Sequence, residues 1–413
     1  VRTWDIQQGD CLDLLRALPD NCIDAIVTDP PYGLSPDGRC RTWDDIEDGR
    51  KGGGFMGKQW DAAVPGVTWA RECLRVCKPG AWIVAFGGQR TIHRLICGLE
   101  DAGWMIRDLG AHQQWQGFPK SLAVGKAIDA HHGAEREVVG PNPNSRPNSA
   151  GEVRPVWSVR VDAPITAPAT DDARKWEGYG TALKPCLEPW TLARKPLDGT
   201  VAENVLKWGT GALNIDGCRY GYGDPAWPGP NDRDSLENIG GFGSSGWETA
   251  TTQTGMNGGN RTHYAPPALG RWPANVYACP KASRGEREAG CGHLKGKDRV
   301  ELTGREPGSA GLVGSDGSGN NPYTGANWKN PTRNHHPTVK PAALMGWLSR
   351  LVGGQPGSLI LDPFAGSGTT GIAALREGFR FLGFELDPEY IQIAEARITG
   401  DAPLFNKRGP VLP

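Results

Sequence analysis

Apolar residues fall in short blocks along the first part of the chain, and each block has the length and period of one element of an α/β unit. Leu12 to Leu18 carries them at helical spacing, and Ala25-Ile26-Val27-Thr28 is an unbroken apolar run closed by Asp29-Pro30-Pro31. Such a run, ended by proline, predicts a buried strand stopping at a turn. Trp69 to Val76 suits a helix, Lys78-Pro79-Gly80 a turn, Ala81 to Phe86 a strand, Arg90 to Ala102 a helix and Trp104 to Leu109 a further strand. The same pattern returns near the other end: Ser358 to Leu361 as a strand, Gly371 to Arg376 as a helix, and Phe379 to Phe384 as a strand ending at Glu385. Leu187 to Arg194 reads as a strand returning to the sheet. Strands alternating with helices predict an α/β fold, a doubly wound and mostly parallel sheet covered on both faces.

The pattern fades between these blocks. Gly33 to Pro65 is polar and Gly-rich, a long loop of the kind that closes over a target. Residues 131–180 are rich in Pro, Asn and Arg, as in Gly140-Pro141-Asn142-Pro143-Asn144-Ser145-Arg146-Pro147, and read as an irregular insertion. Residues 198–333 are Gly-rich with little amphipathic period, and set Trp208, Trp227, Trp247, Trp272 and Trp328 among Arg and Lys. Basic and aromatic residues interleaved in this way suit contact with a nucleic acid. The whole chain carries a net charge of only -1, so phosphate contact has to come from a local patch rather than a global basic field. Its 413 residues are enough for a large core and an inserted domain. The ten Cys are scattered without a Cys-x-x-Cys pair, and no signal-peptide pattern or long apolar span is evident. A reducing cytoplasm is the expected compartment.

Asp29-Pro30-Pro31-Tyr32 carries the most specific chemistry. In an open α/β sheet, ligands bind beyond the carboxyl ends of the strands, where this motif sets a carboxylate, a rigid backbone and an aromatic ring together. The combination suits a flat target bearing an amino group, as on a nucleobase. An exocyclic amine is a poor nucleophile because its lone pair is delocalised into the ring. Asp29 and the carbonyl of Pro30 can accept both of its N–H bonds and free that lone pair, and the double proline fixes the backbone carrying them. Tyr32 would stack on the base, which must first be flipped out of a duplex. Trp115 or Phe118 could supply the opposite stacking face.

Asp362-Pro363-Phe364-Ala365-Gly366-Ser367-Gly368 lies between the second strand–helix pair and is followed at the next strand end by Glu385. A strand, a Gly-rich turn, a helix, a strand and then an acid fit a nucleoside-containing cofactor: the glycines let backbone approach it, and Glu385 is placed for ribose hydroxyls. The turn lacks the Gly-x-x-x-x-Gly-Lys-Ser/Thr pattern of a phosphate loop, which argues against ATP.

In this order, the two motifs resemble the beta-class amino-methylating DNA methyltransferases, with a base-binding motif first and a cofactor motif last. Gly9-Asp10-Cys11, His336-Pro337-Thr338-Val339-Lys340-Pro341, and Glu385 through Tyr390 with Arg397 extend the match. Gly57-Lys58-Gln59-Trp60-Asp61 and Gly117-Phe118-Pro119-Lys120-Ser121 look most like phage or prophage members. The resemblance implies a permuted Rossmann-like methyltransferase using S-adenosylmethionine, with Asp29, Pro30, Pro31 and Tyr32 at the target base. Asp10, Thr338, Lys340, Asp362, Phe364, Gly366, Ser367, Gly368 and Glu385 would hold the cofactor, Asp10 near its adenine and Thr338 and Lys340 at its methionine end. It divides the chain into a catalytic half at 1–130, the insertion at 131–180, a returning strand at 181–197, a target-recognition domain at 198–333, a cofactor half at 334–400 and a tail at 401–413. The implied partner is double-stranded DNA, with no membrane contact and room for a homodimer, in a bacterial or phage-infected bacterial cell.

Asp29 rather than Ser at the head of the motif leans toward N6 of adenine. N4 of cytosine is the alternative, then RNA, and a DNA-binding subunit without catalysis is a different class. Pro185-Cys186 with Glu203-Asn204-Val205 echoes the carbon-5 cytosine enzymes, but those carry the cofactor motif first and no Asp-Pro-Pro-Tyr. Cys279, Cys291 and His293 match no standard zinc spacing, so no metal is expected.

Overall fold

The structure, a computed structural model, describes residues 2–34, 40–47, 61–117, 121–140, 145–147, 153–155, 165–221, 272–298, 301–302 and 331–412. Its frame is a nine-stranded sheet built from β1 (Arg2–Gln8), β2 (Ile23–Thr28), β3 (Cys77–Phe86), β4 (Met105–Gln113), β5 (Leu187–Arg194), β6 (Val276–Ala278), β7 (Leu359–Asp362), β8 (Arg380–Glu385) and β9 (Asn406–Arg408). The order across the sheet is β6-β4-β5-β3-β2-β7-β8-β1-β9. Every pairing is parallel except those of β5, which runs antiparallel between β3 and β4.

All six residues of β2 are buried, because helices cover both faces. Ile23 and Ile26 point into one core layer with Leu15 of α1 (Cys11–Ala17), Trp69 and Cys73 of α2 (Val67–Val76) and Leu95 and Leu99 of α3 (Ile92–Asp101). Ala25 and Val27 point the other way, toward Leu344 and Trp347 of α5 (Ala342–Val352), Ile372 of α6 (Thr369–Arg376) and Ile391 of α7 (Pro388–Asp401). α4 (Val201–Trp208), closed by a Thr200–Glu203 capping box, packs on β3. From Ala25 on, past the irregularity after Ile23, side chains alternate between two buried faces, which is why Ala25-Ile26-Val27 is apolar throughout, while the buried Asp24 is paired with Lys78.

The expected doubly wound, mostly parallel sheet is therefore present, with elements differing at their edges. Lys78-Pro79-Gly80, expected as a turn, lies inside β3. The pairing shifts from Ile23 opposite Cys77 to Ala25 opposite Trp82, and Gly80 takes a φ of +76°. The segment is thus a bulge rather than a stop. β4 runs on past Leu109 because Ala111, His112 and Gln113 pair with Pro189, Glu188 and Leu187. β6 joins β4 from within the long Gly-rich stretch. Among the described residues, the insertion holds two short ladders, Val138–Gly140 with Ile165–Thr166 and Ser145–Pro147 with Val153–Pro155. No helix among the described residues is long and apolar enough to cross a membrane.

Candidate active site

β2 and β7 are neighbours, and their carboxyl ends meet where the crossovers diverge to opposite faces, the ligand-binding position of an open α/β sheet. Thr28, the last residue of β2, donates its hydroxyl to Asp362 Oδ1 at 2.6 Å, and Thr370 of α6 donates to Oδ2 at 2.6 Å. The Phe364 N–H also donates to Oδ1, at 3.0 Å. Asp362 is buried, and burial pushes its carboxyl up to about 6. The first residue of the Gly-rich motif thus ties the two motif strands together.

On the β2 side, Pro30 and Pro31 are buried, and the loop beyond them is held by Asp61. Asp61 Oδ1 accepts the N–H groups of Tyr32 at 2.7 Å and Gly33 at 3.2 Å. Asp29 Oδ2 accepts from Lys340 Nζ at 2.6 Å, and Tyr32 Oη accepts from the same nitrogen at 3.0 Å. Asp29 Oδ1 is buried and has no hydrogen-bond partner among the described residues. Burial raises the Asp29 carboxyl, opposed by the Lys340 ammonium. Glu188, at the start of antiparallel β5, reaches the same edge. Its carboxylate is 3.5 Å from Lys340 Nζ, 3.7 Å from His112 Nδ1 and 3.4 Å from Lys281 Nζ. Burial works to raise Glu188, yet Lys340, His112 and Lys281 together hold it below the usual carboxylate range.

On the β7 side, Gly366 has a φ of +52° and donates its N–H to Glu385 Oε2 at 2.8 Å. A side chain there would begin 2.8 Å from His336 Nε2. Glu385 Oε1 accepts the Asp387 N–H at 2.9 Å, and burial raises this carboxyl. Ser367 is pinned from below by the buried Arg397, whose Nη1 donates to its carbonyl at 2.6 Å and its hydroxyl at 2.9 Å. Gly368, with a φ of +76°, faces Ala394 of α7, whose Cβ would lie 2.9 Å from an added carbon; it serves close helix packing. Phe364 meets Trp43 edge-on at 5.6 Å and Trp69 at 5.8 Å. Asp10 is exposed and caps α1 through the Leu12 N–H, beside Gly9, whose N–H donates to the Glu385 carbonyl. Thr338 is exposed, and its N–H donates to His336 Nδ1 at 3.4 Å.

The expected residues from β1, β2, β7 and β8 therefore line one sheet edge. Lys340, expected at the cofactor, has its ammonium on Asp29 and Tyr32 instead. Glu188, His112, Lys281 and Asp61 were not singled out as site residues from the sequence. A charged residue opening the apolar strand Leu187–Arg194 was the visible signal for Glu188. Trp115 is exposed, while Phe118, Trp60, Trp227, Trp247 and Trp328 lie outside the described residues. Trp208 bonds Asp198, and Trp272 lies under the Arg219 guanidinium. Cys279 Sγ is 3.3 Å from His112 Nε2, whereas Cys291 is buried against Tyr390 and Ile393. Among the described residues no group of His, Cys, Asp and Glu could hold a metal.

Residues 259–396 match a family model described as DNA methylase. DNA adenine methyltransferase YhdJ of Escherichia coli is 45% identical over 64 residues, 16% of this chain and 21% of that protein. Type II methyltransferase M2.DpnII of Streptococcus pneumoniae is 46% identical over 66 residues, 16% of this chain and 24% of that protein. The chain thus spans less than a quarter of the length of these curated relatives. Among solved structures, the cytosine-N4-specific PvuII DNA methyltransferase aligns over 96% of this chain and 86% of that one, at 14% identity and a TM-score of 0.42. The Gly-rich motif and its following acid fall inside the stretch that is similar to the DNA methylase family model.

Proposed function

We propose that the chain is a site-specific DNA methyltransferase that transfers a methyl group from S-adenosylmethionine to N6 of an adenine flipped out of the duplex. The observation that supports this most is Asp29 Oδ1, a buried acceptor without a partner among the described residues, beside Tyr32 and one strand from the Gly366 turn. A buried carboxylate oxygen left unpaired is costly, and a target N–H would satisfy it. Asp29 Oδ1 and the Pro30 carbonyl accept the two amine N–H bonds, the lone pair turns out of the ring's π system, and Tyr32 holds the ring flat.

The β7 edge fits the cofactor. Only a residue without a side chain leaves room between the 366 backbone and His336. Each Glu385 oxygen, though already holding a backbone N–H, retains acceptor capacity for a ribose hydroxyl. Phe364, Gly366, Ser367 and Glu385 would hold S-adenosylmethionine, with Asp10 at the adenine end and Thr338 at the methionine end; Asp362 and Gly368 support this surface through Thr28 and α7. When bound, the cofactor supplies the electrophilic methyl group.

Adenine is favoured over cytosine by the aspartate in the motif and by the adenine-specific name of the Escherichia coli relative. Residues 198–333 would recognise the target sequence on double-stranded DNA. A bacterial cytoplasm, a phage or prophage origin and a restriction–modification setting complete the proposal. Asp29→Ala tests it: turnover should fall about 10²–10³-fold, the usual loss for one preorganised polar contact, while calorimetry finds cofactor affinity near wild type. Wild-type turnover in this variant would sink the assignment.

A further inference from the structure

Lys340 closes the base-binding edge in a way that neither motif announces. Its side chain is only 8% exposed, and its ammonium meets three oxygens from two chain segments: Asp29 Oδ2 at 2.6 Å and Tyr32 Oη at 3.0 Å from the motif after β2, and Glu188 Oε2 at 3.5 Å from β5. The rings of Tyr32 and Phe86 flank it, with centroids 5.3 and 4.9 Å from Nζ. Two hydrogen bonds and an ion pair fix both the position and the direction of an otherwise flexible side chain. Glu188 is held from behind by His112 of β4 and Lys281.

We propose that Lys340 and Glu188 are positioning residues for Asp29: Lys340 occupies Oδ2 and leaves Oδ1 as the acceptor for the target amine, while Glu188 anchors the ammonium against the carboxylate. The purpose of the pair rests on the methyltransferase reading; its geometry does not. The arrangement answers a specific difficulty. A carboxylate taken out of water tends to bind a proton, and a protonated Asp29 would present a donor where the amine needs an acceptor. The Lys340 ammonium opposes that proton, whereas Glu188, a second negative charge, favours it. Lys340 itself stays charged, because Asp29, Tyr32 and Glu188 outweigh the cost of its burial. The remaining charged or titratable neighbours are Asp362 on β7, which interacts with Asp29, and His336, which interacts with Lys340.

The two residues should therefore move the titration of Asp29 in opposite directions, which a merely structural role would not do. The measurement is carboxyl-carbon NMR of the full chain labelled in aspartate, with the Asp29 signal identified by its absence from Asp29→Asn. Lys340→Met should raise the Asp29 midpoint by about 1–3 pH units, the effect of removing an opposite charge at contact distance. Glu188→Gln should lower it, and that sign alone tests the pair if Lys340→Met does not fold. Midpoints that stay in place, or that both variants move the same way, overturn the inference. Methyl transfer by the wild type on the same preparation keeps the two questions apart. An inactive wild type with oppositely shifted midpoints removes the methyltransferase reading and leaves the pair. An active wild type with unmoved midpoints removes the pair alone.

Discussion

Asp362→Asn perturbs the tie between the two motif strands without changing its volume. In the wild type, the Thr28 and Thr370 hydroxyls and the Phe364 N–H all donate to this carboxylate, and burial outweighs them, pushing it from 3.8 up to about 6. The folded state therefore binds a proton that the unfolded chain has already released, and it does so between roughly pH 4 and pH 6. Stability from this group is fully present below the unfolded value and is lost as pH rises through the folded one. A displacement of about 2 pH units corresponds to about 3 kcal/mol, at 1.36 kcal/mol per unit. An amide cannot titrate here, and its oxygen and nitrogen still pair with both hydroxyls, one of which turns round to accept. Urea unfolding of wild type and variant across pH 4 to 7 measures the effect. The wild-type stability minus that of Asp362→Asn should fall by about 3 kcal/mol from the acid end of this range to the neutral end. Parallel stability curves would refute the buried, proton-binding state of Asp362.

Further expectations concern the two ligands. Gly366→Val should abolish S-adenosylmethionine binding by calorimetry, since its side chain would strike His336 and its φ of +52° is strained for a branched residue. Glu385→Ala should weaken the same binding, and full affinity in both folded variants would move the cofactor pocket elsewhere. Tyr32→Ala should lose about 1–3 kcal/mol of base stacking. With 2-aminopurine at the target position, fluorescence should rise on binding the wild type and stay low with the variant; equal signals would count against stacking by Tyr32.

Much of the sheet was legible because its strands are buried on both faces and so read as continuous apolar runs. Leu187 to Arg194 was delimited correctly, and β2, β7 and β8 differ from expectation by a residue or two. What escaped depends on partners distant in sequence. Trp4 and Ile6 alternate with polar residues as a strand should, but β1 is defined by pairing with β8, far along the chain. β6 has three residues and exists as a strand because β4 offers an edge. The Lys78-Pro79-Gly80 bulge carries ordinary turn chemistry, and the sheet overrides it. The motif residues could be named from local sequence, whereas the contact of Lys340 with Asp29 spans 311 positions. His112 and Lys281 reach Glu188 through strand pairing and packing that no local pattern encodes.

We propose that the Asp29 edge serves an exocyclic amine on a DNA base. The most direct measurement incubates duplex DNA with the chain and S-adenosylmethionine, digests the product to nucleosides and separates them by mass. N6-methyladenine is the predicted product. N4-methylcytosine would keep the amine chemistry and replace the base, whereas 5-methylcytosine would contradict the account, because carbon methylation needs a thiolate at the base and no cysteine adjoins the Asp29 motif.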